Sequence, residues 1–343
     1  DDMYKIYWED TKMEFSATAG TAGGSLKALF EVRDGDNLEN FKGKVTKADS
    51  YSLTVENISI DNIKSLNLPD KDGKITVNNI SYSYDSWEAQ VDAQGNIKSV
   101  TFNLSKDKAI ADPEKTVAEG YLLNAGSAIN ARGIPYYMTQ LNEFVRNFSE
   151  MFNQIESKGQ NLNGDTPPTF FEAITNTAKV YDFSESEAYS KLPDGQTATI
   201  NSSSNTYYRM TAANFSVNKD VMNDVSLFAT STDYVKTDSC DIVDELKKLQ
   251  SEKTVYRGDK AESFLETIIS NVSVDTEKAE TYNKLYSNLE QTIANQRTSV
   301  SGVDEDEEAL NLVKFQYSYN MASKIISVMN QMLDKLINDT GVA

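Results

Sequence analysis

The sequence predicts an α+β protein: elongated, multi-domain, with a stem of long helices and inserted β-rich domains. Three observations predict it. Apolar residues recur at steps of three and four along 304–338, the repeat of a helix that packs lengthwise on other helices. Between about Val45 and Leu104 the apolar period drops to two, the repeat of half-buried strands. Helical periodicity also marks Tyr137 to Ile155 and several segments after Asp241, so long helices bracket the β-rich stretches. At 343 residues the chain has room for two or three domains, each with a core of its own.

Element by element, residues 1–18 alternate enough for one or two strands (Tyr4, Ile6, Trp8, then Met13 and Phe15), and Gly20 to Gly24 turns. Ser25 caps a short helix, Leu26 to Val32, which ends at Asp34-Gly35-Asp36. The alternating runs Tyr51-Leu53-Val55, Ile58-Ile60, Ile75-Val77, Ile80-Tyr82-Tyr84, Ala89-Val91 and Val100-Phe102-Leu104 form an antiparallel unit. Pro69 to Gly73 and Asp92 to Asn96 punctuate it. Asp70-x-Asp72-Gly73 has part of the spacing of a calcium loop, but its glycine comes too early and the final glutamate is missing, so it reads as a hairpin turn. Arg132 to Pro135 opens a second long helix, with Tyr137, Leu141, Phe144, Phe148, Met151 and Ile155 on one face and Lys158-Gly159 as its C-cap. Phe170-Phe171, the polar stretch 197–206 and strand-like Tyr207 to Val217 predict a second β-rich domain. Helices return at 241–249, at 259–272 and after Asp275, where Tyr282, Leu285, Leu289 and Ile293 point inward. The expected domains are therefore 1–44, the start of the stem; 45–118, an inserted antiparallel β domain; 119–165, a long stem helix; 166–240, a second β-rich domain; 241–303, stem helices; and 304–343, a C-terminal heptad helix.

The formal charge of −19 argues against nucleic acid and anionic membrane as partners, since both need clustered Lys and Arg. With no histidine, Ser-His-Asp and Cys-His catalysis and His-ligated metals are excluded. A single cysteine, Cys240, permits no internal disulfide, and its acidic setting disfavours a nucleophile. No apolar run is long enough to span a membrane. The reading is a non-enzyme with no cofactor and no metal. A carboxylate glycosidase stays open as an alternative because it needs two acids and no histidine; Trp87-Glu88 is the nearest approach to an acid boxed by aromatics, and a solvated strand glutamate explains it better. A glycan-binding adhesin in the β domains is a further alternative. The start Asp1-Asp2-Met3 reads as a piece of a longer protein.

The last helix carries the candidate functional surface. Leu312, Phe315, Tyr319, Ala322, Ile326, Met329, Leu333 and Leu336 form one unbroken row, flanked by Leu310, Val313, Tyr317, Met321, Ile325, Val328 and Met332. A helix apolar on two adjoining faces needs neighbours on both, so the first row is read as an assembly interface. Asp304 and Glu307 have the spacing of a capping box at its start.

Two stretches resemble the flagellar hook-associated protein 1 family, whose members join hook to filament in bacteria. Gln296 to Glu308 (QRTSVSGVDEDEE), Leu312 to Tyr319 (LVKFQYSY) and Met332 to Ile337 (MLDKLI) are similar to its C-terminal signature. Gly23-Gly24-Ser25-Leu26 to Arg33-Asp34 is similar to its G-G-S-L-x-x-L-…-R-D helix, and Asn142 to Gly164 also resembles the family. The resemblance implies a structural subunit exported through the flagellar channel without a cleaved signal peptide and polymerising outside the cell. Its implied partners are further copies in a ring, hook protein, hook-associated protein 3 and an export chaperone for the C-terminal helix. The β unit at 45–104 looks like an insertion relative to shorter members. A flagellin-like or hook-associated protein 3 subunit is the alternative within the same class.

Overall fold

The computed structural model describes residues 9–10, 23–36, 41–70, 73–106, 109–110, 113, 117, 119–126, 129–236, 238–251 and 257–339. The strands expected within 1–18 lie outside the described residues but for Glu9 and Asp10. Helices and strands are both present, as an α+β protein requires. The chain divides into two compact units, Asp1–Ser270 and Asn271–Ala343.

The first helix or strand described in the first unit is helix α1 (Gly24–Asp34). Strands β1 (Lys42–Asp49), β2 (Ser52–Glu56), β3 (Gly73–Val77), β4 (Ile80–Val91), β5 (Ile97–Leu104) and β6 (Leu122–Ala125) follow. All their pairings are antiparallel. The order β3-β6-β1-β2-β5-β4 closes on itself because β3 also pairs with β4, giving a ring of six strands. Its apolar sides fill the interior with Val45, Leu53, Val55, Ile75, Phe102 and Leu123, all essentially inaccessible.

β4 shows how pattern and register cooperate. Tyr82 and Tyr84 are buried at even positions, whereas Trp87, Ala89 and Val91 are buried at odd ones. A one-residue slip would normally turn an apolar set outward. Here the register against β5 shifts between Tyr84 and Ser86, and the bulge restores the inward face. Two runs that read as separate strands are thus one bent strand.

β2 pairs with β1 and β5, and β3 with β4 and β6, so the strands that flank the expected hairpin at Pro69 to Gly73 are not paired with each other; Lys71 and Asp72 lie outside the described residues. Asp92 to Asn96 does make the β4–β5 turn, with Asp92 Oδ1 accepting from the amides of Gln94 (3.0 Å) and Asn96 (2.8 Å). A further strand, which follows helix α2 below, extends the sheet along β4.

Helix α2 (Ile134–Glu156) starts where Pro135 occupies its first turn. Its apolar face carries Phe144, Phe148 and Phe152, which pack among Phe170, Phe171 and Phe264. Its opposite side is polar yet buried: Thr139, Asn142, Arg146, Glu150 and Asn153 bond to the loop at 64–67 that follows β2, to residues 207–212 and to Phe171. Gly159 ends this region for a reason other than a left-handed cap. A Cβ there would come within 2.6 Å of Ala229 Cβ, so the glycine admits a close approach of two segments.

Residues 166–240 contain less strand than their composition predicts. β7 (Phe171–Ala173) pairs with β9 (Phe215–Val217), while β8 (Ala198–Asn201) joins β4 of the closed sheet. Short helices α3 (Ser184–Ser190) and α4 (Lys219–Asn223) complete it. Tyr207–Arg209 is a 3-10 turn, not the start of a strand. Its side chains are claimed by tertiary contacts: Tyr207 stacks on Phe183, with ring centres 4.2 Å apart. Helix α5 (Asp241–Ser251) seals the end of α2 through Ile155, Ile242 and Leu249.

Helix α6 (Ala261–Ser301) is continuous where two helices were expected, at 259–272 and 276–298. Val272 to Thr276 contains no Gly or Pro, so nothing there breaks the helix. Its beginning is fixed to α2. Arg257 donates from Nε (3.1 Å) and Nη2 (2.8 Å) to Glu143 Oε2, and Phe264 stacks parallel to Phe144 at 6.4 Å.

Candidate assembly surface

The second unit consists of α6 from Asn271 onward and helix α7 (Glu305–Asp339). Gly302, Val303 and Asp304 separate the two helices. The Gly302 amide donates to the Thr298 carbonyl (2.7 Å), and a Cβ at Gly302 would stand 2.2 Å from that oxygen. Only glycine ends α6 this tightly. Asp304 then caps α7: its Oδ1 accepts from the amides of Asp306 (3.0 Å) and Glu307 (3.4 Å), which is the Asp304 half of the expected box. Four acidic residues, Glu305 to Glu308, occupy the first turn, where the helix dipole favours negative charge.

α7 has 35 residues and runs roughly 50 Å. None of its described residues is buried. Phe315 and Tyr319 are each 75% exposed and Ile326 is 60% exposed; Leu312, Ala322, Met329, Leu333 and Leu336 are exposed as well. The flanking row, Leu310, Val313, Tyr317, Met321, Ile325, Val328 and Met332, is likewise exposed. Along it Met321, Lys324, Ile325, Val328, Met329 and Met332 line an open apolar groove. All eight residues read as an interface are thus exposed along α7. Covering each large exposed side chain would be worth about 1.5–3 kcal/mol.

One inference from the sequence is corrected here. Tyr282, Leu285, Leu289 and Ile293 of α6 are 50–57% exposed and not turned inward. Together with Tyr286 they make a second apolar stripe at helical spacing. The signal for it was present, since its steps match those of α7.

An enzymatic reading would need paired carboxylates. Glu88 sits exposed on β4 beside the inward Trp87, as a solvated strand residue does. A cavity of about 260 Å³ is lined by Glu150, Glu172 and Asp182 with Tyr181, Phe183 and Tyr207. Burial, with Asp220 nearby, pushes the Glu172 carboxyl up, while a hydrogen bond from Asn218 (2.5 Å) opposes the rise. Asp182 is held low by the hydroxyl and amide of Ser184. Glu150 is paired with Lys64 at 2.6 Å. Each acid is therefore engaged by a group of its own chain. The sequence did not reveal this cluster, because Glu150 and Glu172 lie far along the chain from some of their partners. Cys240 is exposed. Among the described residues no group of three or more His, Cys, Asp or Glu could hold a metal, and no helix is long and apolar enough to cross a membrane.

Residues 294–339, which span the end of α6, the Gly302 break and α7, match the family model of the flagellar basal body rod FlgEFG protein C-terminal region. The chain is also 21% identical over 341 residues to flagellar hook-associated protein 1 of Bacillus subtilis (strain 168). That match covers 97% of this chain and 56% of the relative, so the chain spans a little over half the relative's length. The similarity to flagellar hook-associated protein 1 carried by Gly23 to Asp34 and by Gln296 to Ile337 therefore extends along nearly the whole chain.

Proposed function

We propose that this chain is a structural, non-enzymatic subunit of the bacterial flagellum, positioned where hook meets filament, and that it polymerises through the apolar rows of α7. The observation that carries the proposal is a 35-residue helix with two adjoining apolar rows and no buried residue. Such a surface is costly in water when uncovered. The flagellar family model falls on this segment, and the hook-associated relative supports the site of action. In this reading the partners are neighbouring copies in a ring, hook protein below and hook-associated protein 3 above. An export chaperone covers α7 before assembly, and the protein acts outside the cell without a cleaved signal peptide. A chain with one cysteine and no disulfide suits passage through an export channel unfolded.

The test is complementation of a strain that lacks the protein with the double variant Ile326→Asp, Met329→Asp. Filaments should fail to attach and motility should be lost, while the purified variant melts as the parent does. Normal filaments from the double variant would overturn the proposal.

A further inference from the structure

Glu156 is a buried acid that assembly through α7 does not use. It is the last residue of α2, only 1% exposed, and neither carboxylate oxygen has a well-formed hydrogen bond, the Ala229 backbone amide being a weak polar neighbour. Its position at the helix C-terminus places it against the negative end of the dipole, which disfavours a carboxylate. The segments closed over it are the Ala229–Ser231 loop and α5, which pack on the end of α2 through Gly159, Ala229 and Ile242. The Gln160 amide donates to the Ser231 carbonyl (2.9 Å) and fastens this closure.

The charged groups on those segments are Asp233, Lys236, Asp238, Asp241, Asp244, Glu245, Lys247 and Lys248, and several are paired. Lys158 pairs with Glu245 (3.0 Å), Asp241 accepts from Thr232 and Ser239, and Lys236 pairs with Asp233 (3.5 Å). Among the described residues, no neighbouring charge contributes to the shift of Glu156. Burial raises its carboxyl to about 7, and only the facing Ala229 amide acts in the other direction. A negative charge buried without a partner is strongly unfavourable.

We propose that Glu156 is a proton-held clasp: the Ala229–Ser231 loop and α5 close on the end of α2 while its carboxyl is neutral and loosen when it ionises. The sign follows from linkage. The closed form keeps a proton that the opened, solvated form releases above the ordinary glutamate range. Raising the pH therefore favours opening up to about 7, and the effect then levels off.

Hydrogen exchange of the whole chain, corrected for the intrinsic pH dependence of amide exchange, tests this at pH 5 and pH 8. The opening equilibrium of Ala229–Thr232 and α5 should rise by about 100-fold in the parent. In Glu156→Gln and Glu156→Leu, neither of which can ionise, it should be equal at the two pH values. A parallel rise in parent and both variants, or no rise in the parent, would overturn the clasp.

Discussion

The guanidinium of Arg146 lies over the ring of Tyr208, 4.6 Å from its centre, and the two side chains divide one stretch of loop backbone between them. Arg146 donates to the carbonyls of Lys64 (2.8 Å), Leu66 (2.6 Å) and Met210 (2.8 Å). The Tyr208 hydroxyl donates to the Leu68 carbonyl (2.7 Å) and accepts from the Leu68 amide (3.1 Å). Tyr208 also meets Trp87 of β4 edge-on at 5.0 Å. The closed sheet is thus docked on α2 by a polar lock. Burial draws the Arg146 guanidinium down to about 10, so it remains charged at neutral pH.

Replacing Arg146 with Met leaves the carbonyls of Lys64, Leu66 and Met210, on two different loops, without their donor. The expected loss is about 3–5 kcal/mol of stability in urea unfolding. Arg146→Lys should recover only part of it, because a single ammonium lacks the planar spread of donors that reaches three carbonyls. Tyr208→Phe should cost about 1–3 kcal/mol. Parent-like unfolding of Arg146→Met would show that the lock contributes nothing.

The bond from Arg257 to Glu143 ties the start of α6 to α2. Glu143 is 3% exposed, so Arg257→Ala strands a buried carboxylate. The expected cost is about 1–3 kcal/mol, moderated because Arg257 itself is partly solvated. Amide exchange should quicken through Ala261 to Ile268 first. Unchanged exchange there would place the anchor on the Phe144–Phe264 stack alone.

Gly302→Ala tests the break between α6 and α7. The added methyl group meets the Thr298 carbonyl oxygen, so the last turn of α6 must shift. The variant should complement poorly while the first unit melts unchanged. Full complementation would mean that the break tolerates a different path.

Much of this organisation was legible in the sequence, and the failures share a cause. The rows of α7, the start of α2 at Gly133-Ile134-Pro135 and the period-two strands are local patterns, and each appears where the pattern put it. The buried polar stripe of α2 was not legible. Thr139, Asn142, Arg146, Glu150 and Asn153 look like a solvent face, and only partners such as Lys64, Met210 and Tyr207, remote along the chain, make them interior. Closure of the sheet by β3 on β6 and the capture of β8 by β4 are long-range events of the same kind. Tyr282 to Ile293 were expected inward because an apolar stripe was assumed to find cover within its own chain.

The most direct measurement uses a single thiol on the α7 row. Ile326→Cys in a Cys240→Ser background places it at the centre of the proposed interface, and maleimide labelling reports its accessibility. In the purified chain, where Ile326 is 60% exposed, the thiol should label rapidly. In isolated hook–filament structures it should be protected at least tenfold, about 1.4 kcal/mol of closure. Equal labelling in the free and assembled states would contradict assembly through this surface.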